Sequence, residues 1–219
     1  DCLALSDHNA TNRITGLDAT GMVMLFGVEL DMPGPRGIQW HLLALGVPEN
    51  FPCTYSNGET AVTAVRAAGG IVFAAHPYWC GLISTEVMSL KGIAGIEVFN
   101  ASARSIGREY SIQLWDETLD AGCHYQAIAV DDTHQANDLF HGWTMIAAPS
   151  GANAETLLET LRAGRFYAMQ GPEFSRLSWE DGVFEAEFSP VRAAYIIGRR
   201  NRGNCFGVMN PAEEKNTLT

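Results

Sequence analysis

The chain has 219 residues, 47% of them hydrophobic and 18% charged, which suits one globular domain, or a domain with a small appendage, that buries a sizeable core. Its 25 acidic residues outnumber the 14 basic ones, for a formal net charge of −11 at pH 7. This charge argues against binding to a nucleic-acid backbone, which requires a basic face. No apolar run approaches the ~18 residues of a membrane span, so we expect no membrane segment.

The five cysteines are scattered, and none belongs to a Cys-x-x-Cys pair. The sequence therefore predicts neither a disulfide framework nor a zinc ribbon. Reduced thiols fit a cytoplasmic protein best. The opening residues Asp1–Ser6 are typical of the middle of a strand, so we expect an N-terminal part to be missing from this sequence.

Short apolar runs that end in polar or turn-forming residues predict the strands. In chain order they are Cys2–Ser6, Met22–Phe26, His41–Gly46, the run from Ile71 to His76, Ile93–Phe99, Tyr125–Val130, Trp143–Ala148 and Phe166–Met169. Apolar positions at helical spacing predict the helices between them. These are Thr60–Ala68, Ser84–Leu90, Ser105–Ala121 and Ala154–Ala163. The alternation in the middle of the chain is typical of βαβ units and predicts an α/β fold with a parallel sheet or barrel.

The pattern changes beyond Pro172. Leu177–Trp179 and Val183–Phe188 flank Glu180-Asp-Gly182, which predicts a β-hairpin. Another strand is predicted at Ala193–Ile197, and a frayed tail from Glu213 onward. We therefore expect a main domain over residues 1–172 and a small β-rich extension over residues 173–219.

Nearly every side chain suited to metal binding or acid–base chemistry stands at the end of a predicted strand. These residues are Asp7, His8, Glu29, His76, Asn100, Asp132 and His134, with His41 at the start of its strand. The carboxyl ends of barrel strands meet at one mouth, so we expect the side chains to face one another. Unpaired, so many imidazoles and carboxylates in one pocket would be costly. Divalent cations would offset that cost, and mixed nitrogen and oxygen ligands suit zinc, manganese or iron.

In order and spacing, six segments resemble the PHP (polymerase and histidinol phosphatase) superfamily. They are Leu5-Ser-Asp-His-Asn9, Gly27-Val-Glu29, His41-Leu-Leu-Ala-Leu-Gly46, Ala75-His-Pro77, Ile96-Glu-Val-Phe-Asn100 and Asp131-Asp-Thr-His134. The resemblance implies a distorted, TIM-like (β/α)7 barrel that binds up to three metal ions. The His-x-His motif of the family's first strand is absent here. The expected fold is therefore this barrel without its N-terminal strand and helix, followed by the β extension.

The resemblance also implies the metal ligands. Glu29 would bridge two ions. His41 and His76 would complete the coordination of the second ion, and Asp132 would bind the first. These ions would be zinc, manganese or iron.

The remaining roles follow from the same resemblance. His8 and His134 would hold a third ion, with Asp7 orienting nearby groups, so Asp7 and His134 are the candidate catalytic residues. The candidate substrate-binding residues are Asn100 at the rim, Tyr78, Arg104 and Arg108. Arg104 and Arg108 could equally lie on a solvated helix face. Tyr78 could equally pack in the core.

We therefore expect a metal-dependent hydrolase, a phosphoesterase that uses metal-activated water on a small phosphorylated substrate. Two alternatives stay open: hydrolysis of carbamate, amide or ester bonds by the same kind of centre, and a non-catalytic metal-binding module. The expected partner is a small molecule, with no nucleic acid and no membrane. The sequence leaves the oligomeric state open.

Overall fold

A computed structural model describes residues 1–11, 19, 21–207 and 215–218. The chain divides into two compact units, Asp1–Ala168 and Met169–Thr219. The boundary expected between residues 172 and 173 stays a prediction. None of the helices in the described part of the chain has the length and apolar character of a membrane span.

The first unit is built on one six-stranded sheet that curls into a half-barrel. Its strands lie side by side in chain order: β1 (Cys2–Leu5), β2 (Val23–Pro33), β3 (Gln39–Leu45), β4 (Ile71–Ala74), β5 (Gly95–Asn100) and β6 (Gln126–Val130). The α/β class is confirmed, whereas the closed seven-stranded barrel stays a prediction. Two further strands, β7 (Trp143–Ile146) and β8 (Phe166–Met169), pair in a separate small sheet.

One strand runs against the others. β3 pairs antiparallel with both β2 and β4, while the remaining neighbours in the sheet are parallel, so the expectation of a parallel sheet is wrong at β3. The connection from β2 contains only a short 3-10 turn at Pro35–Gly37. A link this short can join antiparallel strands but cannot make the crossover that a parallel pair needs.

The strand β2 is longer than predicted, and its length places two carboxylates. It continues to Pro33, so Glu29 lies inside the strand rather than at its end. Alternate residues of a strand share one face, and Asp31 therefore points to the same side as Glu29. The register pairs Asp31 with His41. Because β3 is reversed, its first residues lie at the edge where β1 and β4 end.

Within the described residues, five helices and three 3-10 turns connect the strands. The helices are α1 (Gly58–Ala67), α2 (Pro77–Cys80), α3 (Ser84–Ser89), α4 (Ile112–Asp120) and α5 (Ala154–Arg162), and the turns are Pro35–Gly37, Ser102–Ile106 and Ala136–Asp138. The single helix predicted over Ser105–Ala121 is wrong in its first part. The chain leaves the turn at Gly107 with a φ of 70°, a conformation that glycine adopts without strain, and α4 begins only at Ile112.

The two faces of the sheet carry different apolar clusters. Leu42, Ala44, Val72 and Ala74 pack with residues of α1, α3 and α4 on one face. The alternate residues Leu43, Leu45, Ile71 and Phe73 pack with α5 on the other, as the two-residue period of a strand requires. The odd-numbered residues of β3 share a face, so His41 lies on the α5 side. That face thus carries apolar packing along the strands and polar side chains at one edge.

The second unit is made of β strands. β9 (Phe174–Glu180) and β10 (Val183–Val191) form the predicted hairpin, and β13 (Lys215–Leu218) adds to β10. β11 (Tyr195–Ile197) pairs with β12 (Gly203–Cys205). The expectation of a frayed tail is wrong for the backbone of β13, since a neighbouring strand supplies its hydrogen bonds, while residues 213, 214 and 219 lie outside the described part.

Candidate metal centre

Glu29 lies at the centre of a group of imidazoles. Its Oε1 is 2.7 Å from His41 Nδ1, 3.2 Å from His76 Nε2 and 4.0 Å from His8 Nδ1, and only 5% of the residue is exposed. Burial by itself would raise the pKa of this carboxyl. Hydrogen bonds and charge from His41 and His76 outweigh burial and hold the pKa below its usual range. The carboxylate is therefore ionised and available as a ligand.

Asp31 is a second carboxylate of this cluster and was not predicted from the sequence. Its two oxygens lie 3.1 and 2.9 Å from His8 Nδ1, and its Oδ1 is 3.5 Å from His41 Nδ1. Asn9 holds it in place, accepting the Asp31 backbone N–H at 2.9 Å. Burial lowers the pKa of His8, but the charges of Glu29 and Asp31 more than compensate and raise it above its ordinary value.

His76 connects Glu29 to the rest of the site. It follows β4 with a φ of 24°, a left-handed conformation that costs free energy for a residue other than glycine. Its backbone N–H donates to Glu97 Oε2 at 2.8 Å, and its Nε2 lies 3.9 Å from Asp132 Oδ2. Burial lowers the pKa of His76, yet interactions with Cys80, Glu29 and Glu97 raise it to about 11. The carboxylates thus draw positive charge into the pocket.

Asn100 lies in the interior, not at the rim as expected. Only 1% of it is exposed, and its Nδ2 donates to Glu97 Oε2 and to Asp132 Oδ2, each at 3.0 Å. Its Oδ1 accepts the backbone N–H of Ala103 at 3.1 Å. Burial raises the pKa of the Glu97 carboxyl, although the charge of His76 opposes it. Asn100 thus joins the buried Glu97 carboxylate to the partly buried Asp132 carboxylate, and its contact with substrate stays a prediction.

We expect Asn100→Ala to lower the free energy of unfolding by about 1–3 kcal/mol. The change removes the donor shared by Glu97 and Asp132 and leaves the Ala103 N–H without its acceptor. Urea denaturation followed by fluorescence would measure the loss, with Asn137→Ala, at an exposed position, as the matched control. Equal stability of the two variants would contradict this role.

His134 and Asp7 lie at the outer side of the cluster. His134 Nδ1 is 2.8 Å from the carbonyl oxygen of Asp132 and 3.8 Å from its Oδ1. The centroid of the His134 ring is 5.9 Å from that of His8. The Asp7 carbonyl accepts the backbone N–H of Glu29 at 3.1 Å, which fixes the end of β1 beside β2. The catalytic roles of Asp7 and His134 stay predictions.

Aromatic side chains flank the histidines. The ring centroid of Trp79, a residue 40% exposed, lies 5.0 Å from that of His76 and 5.6 Å from that of His41. The Arg108 guanidinium lies 5.2 Å from the centroid of the exposed Tyr78 ring, and it donates to the Tyr78 carbonyl at 3.4 Å.

The other predicted arginine makes a different contact. Arg104 donates to the carbonyl of Asn137 at 3.2 Å. Arg108 thus lies next to Tyr78, the residue that precedes Trp79 in the chain. Arg104 instead contacts Asn137, between β6 and β7. Substrate binding by Tyr78, Arg104 and Arg108 stays a prediction.

Two overlapping sets of donor atoms among the described residues fit a metal ion. They are His8, Glu29, Asp31 and His41, and His41, His76 and Cys80; within each set, one donor atom per residue lies within 4.8 Å of all the others. Imidazole, carboxylate and thiolate are the ligands of protein zinc sites, and imidazole and carboxylate also suit other first-row metals. The donor chemistry fits a divalent ion, while metal identity and number stay predictions.

Three residues escaped the sequence analysis for different reasons. Asp31 was missed because β2 was expected to end at Glu29, although the Glu-x-Asp spacing places both on one strand face. Glu97 is the single charged residue of an apolar strand, which signals a buried carboxylate with partners. Cys80 stands four residues after His76, a spacing that brings the two together only once the intervening helical turn is known.

Two solved structures have the same fold. A two-domain protein from Bacteroides vulgatus that contains a predicted PHP-like metal-dependent phosphoesterase aligns with 99% of this chain and 76% of its own, at 14% identity and a TM-score of 0.56. An amidohydrolase from Chromobacterium violaceum, with bound sulfate and no metal, aligns with 77% of this chain and 87% of its own, at 17% identity and a TM-score of 0.51. No protein-family model matches the sequence, and neither does any curated protein. The PHP resemblance is confirmed at the level of the fold.

Proposed function

We propose, starting from this PHP-like fold, that the chain is a metal-dependent hydrolase of the PHP superfamily that cleaves a phosphoester of a small molecule. The observation that carries the proposal is the convergence of three imidazoles on the buried Glu29 carboxylate. Residues 1–172 would form the hydrolase domain as a (β/α)7 barrel, and residues 173–219 its β extension. The net charge of −11 supports a small-molecule substrate rather than a nucleic acid. The proposed location is the cytoplasm.

The residues of the pocket have separate tasks in this proposal. Glu29 and His41 would be ligands of one ion, and His8, which the Asp31 carboxylate orients, would be a further ligand. Up to three ions of zinc, manganese or iron would be bound, which supply Lewis acidity and lower the pKa of water. Because the surroundings have a low dielectric constant, the charges in the pocket interact more strongly than they would in water.

The remaining residues of the pocket would complete the set of metal ligands and hold those ligands in position. Asp132 and His134 stand beside His76 and His8 and would complete the ligand set. Glu97 and Asn100 fix the positions of His76 and Asp132 through buried hydrogen bonds, as the supporting groups of metal ligands commonly do. Asp7 and His134 are the candidates for moving a proton between water and the leaving group.

Substrate recognition would use the aromatic side of the pocket. The Arg108 guanidinium, held over Tyr78, is a candidate to bind a phosphate oxygen, because the forked guanidinium suits that geometry. A second candidate function is hydrolysis of an ester, amide or carbamate. It is favoured by the half-exposed Trp79 beside His41 and His76, an apolar wall that suits a neutral substrate.

The test is hydrolysis by protein stripped with a chelator and reloaded with Zn²⁺ or Mn²⁺. We expect the reloaded protein to cleave an aryl phosphate and the stripped protein to lose this activity, since the carboxylates and imidazoles alone provide no Lewis acid. Matched aryl esters and anilides would be assayed in parallel.

The outcomes separate the candidates. Metal-dependent turnover of the ester or anilide without turnover of the phosphate would replace the phosphoesterase by the second candidate. Stoichiometric metal with no turnover on any substrate would identify a metal-binding module. Differential scanning fluorimetry gives an independent measure, since an ion present at 100 times its Kd stabilises the folded state by about 2.7 kcal/mol.

A further inference from the structure

Cys80 is placed against His76 by a single helical turn. Pro77 begins α2 directly after His76, and the Cys80 backbone N–H donates to the His76 carbonyl at 3.2 Å. This bond closes one turn, so that the side chains of residues 76 and 80 lie on the same side. Cys80 Sγ consequently lies 3.5 Å from His76 Nδ1. The thiol is half-buried and unpaired with any other cysteine.

The contact uses the ring nitrogen of His76 that faces away from Glu29. His76 presents Nε2 to Glu29 Oε1 at 3.2 Å and Nδ1 to Cys80 Sγ. Imidazoles that bind a metal through one nitrogen usually donate the other N–H to a carboxylate. Glu29 is placed to accept the Nε2 N–H, so an ion bound on the side of the cysteine would take the place of a proton at Nδ1.

His41 adds a third donor. One of its ring nitrogens, His76 and Cys80 Sγ all lie within 4.8 Å of one another, and the two imidazole centroids are 5.0 Å apart. With zinc–sulfur bonds of about 2.3 Å and zinc–nitrogen bonds of about 2.0–2.1 Å, ligands of one tetrahedral ion lie roughly 3.5 Å apart. The His76–Cys80 separation of 3.5 Å meets this value, and the His41 donor lies within 4.8 Å of both.

We propose that Cys80, His76 and His41 form a thiolate-containing metal site with an open fourth position. The proposal rests on the proposed function and deepens it, since it assigns a ligand to the pocket and a preference among metals. Three protein ligands and one open position are the arrangement of catalytic rather than structural zinc sites. Thiolate selects soft or borderline ions, so the site favours Zn²⁺ or Co²⁺ over Mn²⁺ and Mg²⁺.

The charges of the site are consistent with this ligand set. One thiolate and two neutral imidazoles leave a divalent ion with a net charge of +1. The ionised Glu29 lies 2.7 and 3.2 Å from ring nitrogens of His41 and His76, so this neighbouring carboxylate balances that charge. Binding requires the thiol to lose its proton, as it does at every cysteine–metal bond.

Titration with Co²⁺ tests the proposal through absorption spectra rather than activity. We expect the wild-type protein to develop a sulfur-to-cobalt charge-transfer band in the near ultraviolet together with the d–d bands of a tetrahedral ion. Cys80→Ser should abolish the charge-transfer band, and Cys80→Ala, a second variant in case the first is misfolded, should do the same. Circular dichroism would establish that each variant is folded.

Cys123→Ser is the matched control, since this cysteine is also half-buried but follows α4, and it should keep the band. We further expect Cys80→Ser to weaken Zn²⁺ binding by at least about tenfold, the lower end of the cost of losing even a supporting partner, while Mn²⁺ binding changes little.

The outcomes distinguish the thiolate site from the proposed function, apart from one that overturns both. Tetrahedral d–d bands without a charge-transfer band would overturn the thiolate site and leave the proposed hydrolase standing, with Cys80 only orienting His76. A charge-transfer band that survives in Cys80→Ser would also overturn it. A Cys80-dependent band in a protein that hydrolyses none of the substrate panel would support the site and overturn the proposed function. Absence of any cobalt binding would overturn both.

Discussion

Replacing Glu29 by glutamine is expected to lower metal-dependent hydrolysis roughly 100-fold or more, the upper range for perturbing a group that supports or binds a metal. The substitution keeps the shape of the side chain and removes its charge. A glutamine oxygen in the place of Oε1 is a weaker ligand and has no full negative charge to offer the histidine nitrogens at 2.7 and 3.2 Å. Bound metal per chain and kcat/KM should therefore fall together.

Glu59→Gln is the control for this prediction. Glu59 is an exposed residue in the first turn of α1, so the same chemical change there should leave both metal content and kcat/KM within twofold or so of wild type. Full metal loading and unchanged kcat/KM in Glu29→Gln would show that the Glu29 cluster is not the reaction centre, whatever metal the protein holds.

Replacing Phe73 by alanine is expected to lower the free energy of unfolding by about 3–5 kcal/mol. Phe73 lies in β4 with none of its surface exposed and packs in the cluster between the sheet and α5. Its ring also contacts Phe166 edge-on, with centroids 6.3 Å apart. The deletion leaves a cavity that close-packed neighbours fill only in part.

Phe140→Ala is the control for the stability prediction, because Phe140 is 83% exposed and the same deletion there should cost less than about 0.5 kcal/mol. Urea denaturation of the two variants and the wild type would measure the difference. A similar loss in both variants would mean that β4 is not at the centre of the core. Since Phe73 lies three residues before His76, metal affinity is expected to fall with stability only in Phe73→Ala.

Much of the strand pattern could be predicted because the local composition of a strand indicates whether it is buried. The run Ile71-Val-Phe-Ala74 is apolar on both faces, which is typical of a strand covered on both sides, and the structure buries all four residues. By contrast, the direction of β3 depends on how the chain is connected. Its short link to β2 forced the reversal, and this reversal brought His41 to the edge where β1 and β4 end.

The candidate ligands could be named from the sequence, but their partners could not. His8, Glu29, His41 and His76 were expected to meet, and the distances to Glu29 Oε1 place them together. The pairing of Asp31 with His8 was not foreseen. It follows from the continuation of β2 past Glu29, which is set by hydrogen bonds to β3 and not by the residues of β2 alone.

By itself, the amino-acid sequence determined the α/β class, most of the strands and the identity of the side chains able to bind a metal, because hydrophobic period and ligand chemistry are local properties. Only the tertiary structure decided which of those side chains touch. It buried Asn100 between two carboxylates, turned Cys80 onto His76 and set Asp31 against His8. Each of these contacts either links different strands of the sheet or spans a turn whose geometry cannot be predicted from the sequence. Each therefore depends on strand register and packing.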